Sequence, residues 1–123
     1  MERGLLVVED EEAIGFALKR YFGRNGLRVD VATDPDEARA LLAGTEYAVV
    51  LADLRLKGTH DAAGLDLLQH IQQTQPAVHC ILLSAYANPE MEHLATERGA
   101  ALVLRKPIAL PELLQHVRGL LEQ

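Results

Sequence analysis

The feature of this sequence that most constrains its fold is a fivefold alternation of short apolar runs with longer helical patterns. The first run, residues 5–8, is apolar at every position, as expected for a strand that is covered on both faces. Comparable runs follow at residues 27–32, 47–52, 78–83 and 101–104. Five strand–helix units with short connections predict a doubly wound α/β fold, in which a five-stranded parallel sheet carries helices on both faces.

The segments between the runs carry helix periodicity and helix-start signals. Apolar residues at positions 13, 14, 17, 18, 21 and 22 predict the inward face of the first helix. Asp34, Pro35 and Glu37 predict a helix start, with Asp34 as N-cap and Glu37 completing a capping box. Asn88 and Pro111 mark the starts of two later helices in the same way.

Length and composition narrow the class of function. A chain of 123 residues fits one domain, and a net charge of -6 without basic clusters argues against a nucleic-acid or membrane surface. Cys80 is the only cysteine, so a disulfide and a cysteine-based zinc site are excluded, and it lies in an apolar run. No signal peptide or membrane span is present, and we expect a reduced, cytoplasmic setting.

Polar residues follow the predicted strands at the points where the strands end. Glu9 and Asp10 follow the first strand, Asp53 the third and Ser84 the fourth, while Lys106 closely follows the fifth. Because the carboxyl ends of parallel strands lie at one edge of a sheet, we expect these side chains to converge in one cleft. Singly, each has an ordinary explanation as a helix cap or a turn residue; the conjunction indicates a site.

Three carboxylates in one cleft require a cation. At about 5 Å and an effective dielectric near 20, each pair repels by roughly 3 kcal/mol. Mg²⁺ suits such a set, because it keeps several waters and binds phosphoryl oxygens. Asp53 is then the candidate nucleophile for a phosphoryl group, with Lys106 and Ser84 stabilising the transferred oxygens.

These residues lie in motifs that resemble the receiver domain of bacterial two-component response regulators. The motifs occupy residues 6–11, 50–56, 82–85, 99–100 and 106–107, and the resemblance covers residues 5–121. It implies a flavodoxin-like sheet in the order 2-1-3-4-5, which periodicity alone does not establish. It also implies that residues 1–123 are a single receiver domain, with no output domain in this chain.

The resemblance assigns roles to the residues of the cleft. It implies an aspartyl phosphate on Asp53 and a Mg²⁺ ion bound by Asp10 and Asp53. Glu9 would act largely through water, and the backbone carbonyl of Arg55 would complete the protein ligands. Ser84 would move toward the phosphoryl group, and Lys106 would contact it, before a cis proline.

The resemblance also implies partners. The phosphoryl donor would be a histidine kinase, a phosphotransfer protein or a small phosphodonor, and the output a downstream target protein or a fused output domain. The domain would catalyse only its own phosphorylation and dephosphorylation, so it would not be a multi-turnover enzyme. A homodimer through the last helices is left open.

Three departures from the family pattern concern the surroundings of the cleft. Lys57 occupies a position that is usually proline, and Gly64 comes three residues later than the usual glycine, so the loop at residues 57–64 is longer. Val103 replaces the usual switch aromatic, for which Tyr86 is a candidate substitute. Ile108 replaces a frequent phenylalanine, which we interpret as a packing change.

Three other classes of protein share parts of this pattern. A haloacid-dehalogenase-type enzyme would place an Asp-x-Asp nucleophile after the first strand, and a flavodoxin would need a phosphate-binding loop where Glu9 to Glu12 stand. A receiver-like interaction module that is never phosphorylated remains as the alternative, because of the longer loop and Val103.

Overall fold

The computed structural model describes residues 4–53, 62–85 and 88–122. The strands in these ranges are β1 (Gly4–Glu9), β2 (Val29–Ala32), β3 (Tyr47–Asp53), β4 (His79–Ser84) and β5 (Ala100–Arg105). The helices are α1 (Glu12–Arg24), α2 (Pro35–Gly44), α3 (Ala62–Thr74), α4 (Pro89–Glu97) and α5 (Leu110–Leu121). Strands and helices alternate along the chain, as the sequence predicts. In these ranges no helix is both long and apolar enough to cross a membrane.

The strands form one parallel sheet in the order β2-β1-β3-β4-β5, which confirms the order that the resemblance implied. The chain winds outward from β1 to β2 and then crosses to β3 on the other side of β1. This reversal opens a crevice at the carboxyl ends of β1 and β3, the place where open α/β sheets bind their ligands.

The core consists of two apolar layers, one on each face of the sheet. In β1, Leu5 and Val7 face the layer formed with α1 and α5, while Leu6 and Val8 face the layer formed with α2, α3 and α4. All four side chains are fully buried, which explains why this strand is apolar throughout. Burying both faces of the sheet holds its carboxyl edge, and therefore the crevice, in a fixed shape.

The inward face of α1 differs from the sequence prediction. Ala13, Ile14 and Ala17 are exposed, with 37% of Ile14 accessible. The buried residues of this helix are Gly15, Leu18 and Phe22. A side chain at Gly15 would place its Cβ 3.0 Å from Val31, so the absence of one allows α1 to approach the sheet closely. Gly15 therefore faces the sheet, and Ile14 lies at the margin of the core.

Two helices begin at the predicted N-cap residues, Asp34 and Asn88. The Asp34 carboxylate accepts a hydrogen bond of 2.7 Å from the backbone N–H of Glu37, and the Asn88 side chain accepts one of 2.8 Å from Met91. The Glu37 carboxylate accepts from the Thr33 hydroxyl at 3.1 Å. These caps fix where α2 and α4 begin.

A polar cluster joins β1, β2 and β3 at the amino edge of the sheet, opposite the crevice. The Tyr47 hydroxyl donates to Asp30 at 2.6 Å, and burial raises the pKa of Tyr47 to about 12. The Arg28 guanidinium lies 5.4 Å from the Tyr47 ring centre and donates to the Glu46 carbonyl at 2.7 Å. A Cβ at Gly4 would lie 2.6 Å from this guanidinium. The cluster packs tightly against the start of β1.

Candidate functional site

Two acidic side chains face each other across the crevice. Glu9 ends β1 and Asp53 ends β3, and the two residues are register partners in the parallel pairing. Their relative exposures are 2% and 3%, so both carboxyl groups are removed from water. Burial of paired carboxyl groups is costly unless a proton or a cation offsets their charge.

Without a metal ion, the pKa values of both acids are raised. Burial, the charge of Asp53 and a hydrogen bond with Asp10 together raise the pKa of Glu9 to about 8, against the opposing charge of Lys106. Burial also raises the pKa of Asp53, against the opposing effects of Lys106 and of a hydrogen bond from Glu9. Without a metal ion, the raised pKa of Glu9 favours its protonated form at neutral pH, and this form can donate a hydrogen bond to Asp53.

Lys106 supplies the positive charge at the crevice. Its ammonium group contacts a carboxylate oxygen of Asp53, and about a third of the lysine side chain is exposed. Its backbone N–H donates to the Ser84 carbonyl at 3.0 Å, and the peptide bond between Lys106 and Pro107 is cis, as the resemblance implied. Within the described part of the chain, Lys106 is thus the cation that lies beside the two buried acids.

Ser84 ends β4 and is 1% exposed. Because β4 is the neighbour of β3 in the sheet, its hydroxyl belongs to the same edge as Asp53. Burial at that position leaves Ser84 accessible only to a group bound within the crevice.

Asp10 lies at the mouth of the crevice, exposed, and its side chain is hydrogen-bonded to Glu9. In the described ranges no three acidic, histidine or cysteine side chains already form a closed metal cage. Mg²⁺ needs no such cage, since it is commonly bound by one or two carboxylates and several waters. The proton held by Glu9 marks a deficit of positive charge, so the donor set fits a hard divalent cation.

Other predicted residues either fall outside the described part of the chain or do not line the crevice. Arg55, Tyr86 and the loop segment 57–61 lie outside the described residues. Gly64 is buried in α3. Val103 lies on β5, half-buried, where it packs against the core layer shared by α2, α3 and α4. The Val103 side chain therefore contacts the core beneath β5 and does not line the crevice.

One feature of the site was not found from the sequence. An open groove of about 440 Å³ runs from Asp53 and Lys106 between α1 and α5. Its outer rim is formed by Ile14 and Leu110, each 37% exposed. The signal was present as apolar residues just after the acidic turn and just after the Lys-Pro pair, but helical periodicity assigned Ile14 to the core.

Comparison with known proteins agrees with this geometry. Residues 5–118 match the sequence profile of the response regulator receiver domain. The chain is 37% identical over 108 residues to the response regulator protein PilR of Pseudomonas aeruginosa, covering 88% of this chain and 24% of that protein. It is 32% identical to the protein PetR of Rhodobacter capsulatus, covering 97% of this chain and 48% of that protein.

A solved structure shares the fold over almost the whole chain. The non-phosphorylated receiver domain of HemR from Leptospira biflexa superposes with a TM-score of 0.86 at 30% identity, covering 99% of this chain and 96% of that one. A crevice lined by acids and a lysine on a 2-1-3-4-5 sheet defines a signal-receiving class of α/β domain. This chain belongs to the response regulator receiver domain family. It spans about a quarter to a half of the length of PilR and PetR.

Proposed function

We propose that this receiver domain accepts a phosphoryl group on Asp53 in a Mg²⁺-dependent reaction and thereby switches the binding of a partner. The observation that carries the proposal is the position of Asp53, buried opposite Glu9 and in contact with Lys106. A carboxylate held between a second acid and a cation at the sheet's carboxyl edge is suited to nucleophilic attack on phosphorus.

The residues of the crevice divide the work. An Asp53 oxygen attacks phosphorus, and the bond to the donor's leaving group breaks on the opposite side. The Lys106 ammonium and the Ser84 hydroxyl stabilise the negative charge on the transferred oxygens. Glu9 supplies a second carboxyl group beside the nucleophile.

Mg²⁺ is the cofactor of the proposal. Asp10 and Asp53 would bind it directly, Glu9 through water, and the Arg55 carbonyl would complete the set. The ion would neutralise charge on the phosphoryl group and on the acids during transfer. Its binding would also displace the proton held by Glu9, which leaves both acids ionised.

Donor and output partners complete the proposal. The donor is a phosphohistidine on a histidine kinase or phosphotransfer protein, or a small phosphodonor, in the cytoplasm. The domain modifies only itself and is not a multi-turnover enzyme. A net charge of -6 disfavours contact of this domain with nucleic acid, so the output passes through a target protein or a fused domain. The DNA-binding transcriptional regulator NtrC of Salmonella typhimurium is 32% identical to this chain over 113 residues, which make up 24% of its length. It illustrates a receiver-like segment within a longer protein.

Intact mass spectrometry tests the proposal. Incubation with acetyl phosphate and Mg²⁺ should add one phosphoryl group, and chelation of the metal should abolish the gain. Asp53→Asn should prevent it, while Asp36→Asn, an exposed acid on α2, should not. Modification of Asp53→Asn at the rate of the unaltered protein would place the nucleophile elsewhere. No modification by any donor would favour the alternative of an unphosphorylated interaction module.

The output residue is tested separately. Because Val103 packs into the core and carries no aromatic ring, Tyr86 is the candidate for coupling Ser84 to partner binding. Tyr86→Ala should weaken phosphorylation-dependent partner binding and leave the mass gain intact. Unchanged partner binding would reject this role.

A further inference from the structure

The groove beside Asp53 is apolar along most of its length. Eight of its ten lining residues are apolar, and Asp53 and Lys106 lie together at one end. The walls are formed by Ile14 and Leu18 of α1 and by Leu110 and Leu113 of α5. The groove therefore has charged groups at one end and apolar walls along the rest, which suits a ligand with one charged end and one apolar end.

We propose that this groove binds the hydrocarbon part of a small acyl phosphate, whose phosphoryl end is transferred to Asp53. The inference rests on the proposed function and specifies the class of small donor that this chain prefers. The occupant is an aliphatic acyl phosphate with more carbon atoms than acetyl phosphate.

Charge and size both favour an amphiphilic occupant. The Lys106 ammonium is complementary to phosphoryl oxygens, whereas a ligand charged along its length would leave the walls of Ile14 and Leu110 against polar groups. A volume of about 440 Å³ falls within the range of small-ligand sites. The methyl group of acetyl phosphate would fill little of it, so a longer chain gains contact that acetyl phosphate lacks.

The transfer is balanced without a further reactant. The Asp53 carboxylate forms a P–O bond, and the P–O bond of the mixed anhydride breaks. The electron pair leaves with the acyl carboxylate, so no proton or oxidant is needed. The products are the aspartyl phosphate and a free fatty carboxylate.

Matched donors test the preference. Acetyl phosphate and hexanoyl phosphate have carboxylate leaving groups of similar basicity, so their intrinsic reactivities are close, and hydrolysis in buffer corrects for any difference. With Mg²⁺ present and donor below saturation, hexanoyl phosphate should modify the protein about tenfold faster, as burial of about two methylene groups would give. Intact mass against time gives both rates.

Variants at the rim show whether the groove is the cause. Ile14→Gln combined with Leu110→Gln should reduce the preference to about twofold, because the channel becomes polar. Both positions are 37% exposed, so the protein should stay folded, and thermal unfolding checks this. Ile14→Trp, which fills the groove instead, should also remove the preference. Phe16→Gln is the matched control, since Phe16 is 65% exposed on the same helix and does not line the groove.

The outcomes separate this inference from the proposed function. Equal rates with the two donors would overturn the inference while the mass gain still supports phosphorylation of Asp53. A preference that survives both groove variants would also overturn it, as would an equal fractional loss of rate with both donors, because the groove would then not distinguish the two chain lengths. Absence of modification by both donors would overturn the proposed function and the inference with it.

Discussion

Glu9 and Asp53 are direct register partners across β1 and β3, and both carboxyl groups are almost completely buried. Among the described residues, the Lys106 ammonium contacts Asp53. Without a metal ion, the raised pKa of Glu9, about 8, favours its protonated form at neutral pH. Stability and metal binding should therefore be linked through these acids.

The first prediction concerns pH in the absence of Mg²⁺. The pKa of Glu9 rises from 4.5 in its ordinary state to about 8 in the folded protein, so between these values the folded state holds a proton that the unfolded state has lost. Folding stability should thus be greatest below pH 4.5 as far as this group is concerned, and should fall as pH rises through 8. The expected loss is on the order of a few kcal/mol, measured by urea unfolding with a chelator present.

Glu9→Gln is the control for that pH dependence. An amide cannot ionise, so the slope of stability between pH 5 and 8 should flatten. Saturating Mg²⁺ should also flatten it in the unaltered protein. A slope that persists unchanged in Glu9→Gln would mean that other groups cause it.

The second prediction concerns Lys106→Met. Removing the ammonium leaves Asp53 without its cationic partner, and we expect a loss of about 1–2 kcal/mol at pH 8, because the lysine is partly exposed. The loss should become smaller as the pH is lowered, because the pKa of Asp53 is raised and protonation removes the charge that Lys106 pairs with. Lys19→Met, on the exposed side of α1, removes the same charge away from the crevice and should change stability little. Equal effects of the two substitutions would contradict a specific role for Lys106.

The third prediction concerns two glycines with opposite requirements. Gly99 has φ of 105°, and a Cβ there would lie 2.8 Å from the Gln72 Cβ, so Gly99→Ala should destabilise the protein by about 1–2 kcal/mol. Gly23 lies within α1 with open space around it, so Gly23→Ala should stabilise by up to about 1 kcal/mol. Urea unfolding should give opposite signs, and the same sign for both would refute this assignment.

The fourth prediction concerns the start of α2. Asp34→Ala removes the acceptor for the Glu37 N–H and should cost about 1 kcal/mol in thermal or urea unfolding. Asp36→Ala removes an acid two residues away whose side chain is 96% exposed, and it should cost much less. Phosphorylation should be unaffected in either variant, and a matching loss in both would show that the cap is not the cause.

The alternation of short apolar runs with helical patterns was sufficient for the element order, because a run such as residues 5–8 is typical of a central parallel strand that is buried on both faces. The convergence of Glu9, Asp53 and Ser84 at one edge followed from that sheet, since strand ends in a parallel sheet share an edge. The caps at Asp34 and Asn88 also followed from local chemistry.

Other features depend on contacts that periodicity does not contain. The order of the strands required the resemblance, since apolar runs carry no information on which neighbour they pair with. Helical periodicity assigned Ile14 to the core, whereas Gly15 is the residue that faces the sheet. The close approach of α1 at Gly15 depends on Val31 of β2, which the periodicity of α1 does not include. The groove was missed for the same reason, as its walls come from α1 and α5, far apart in the chain.

The hydrogen bond from the Lys106 backbone to the Ser84 carbonyl joins the ends of the two last strands of the sheet. The segment that carries Lys106 and the segment that carries Ser84, held together in this way, would move together. Displacement at the centre of the molecule would then be conveyed to β5, the strand at its outer boundary, instead of being absorbed beside the nucleophile. A chemical change in the crevice would thereby alter the surface at β5, where a second molecule could respond to it without entering the crevice.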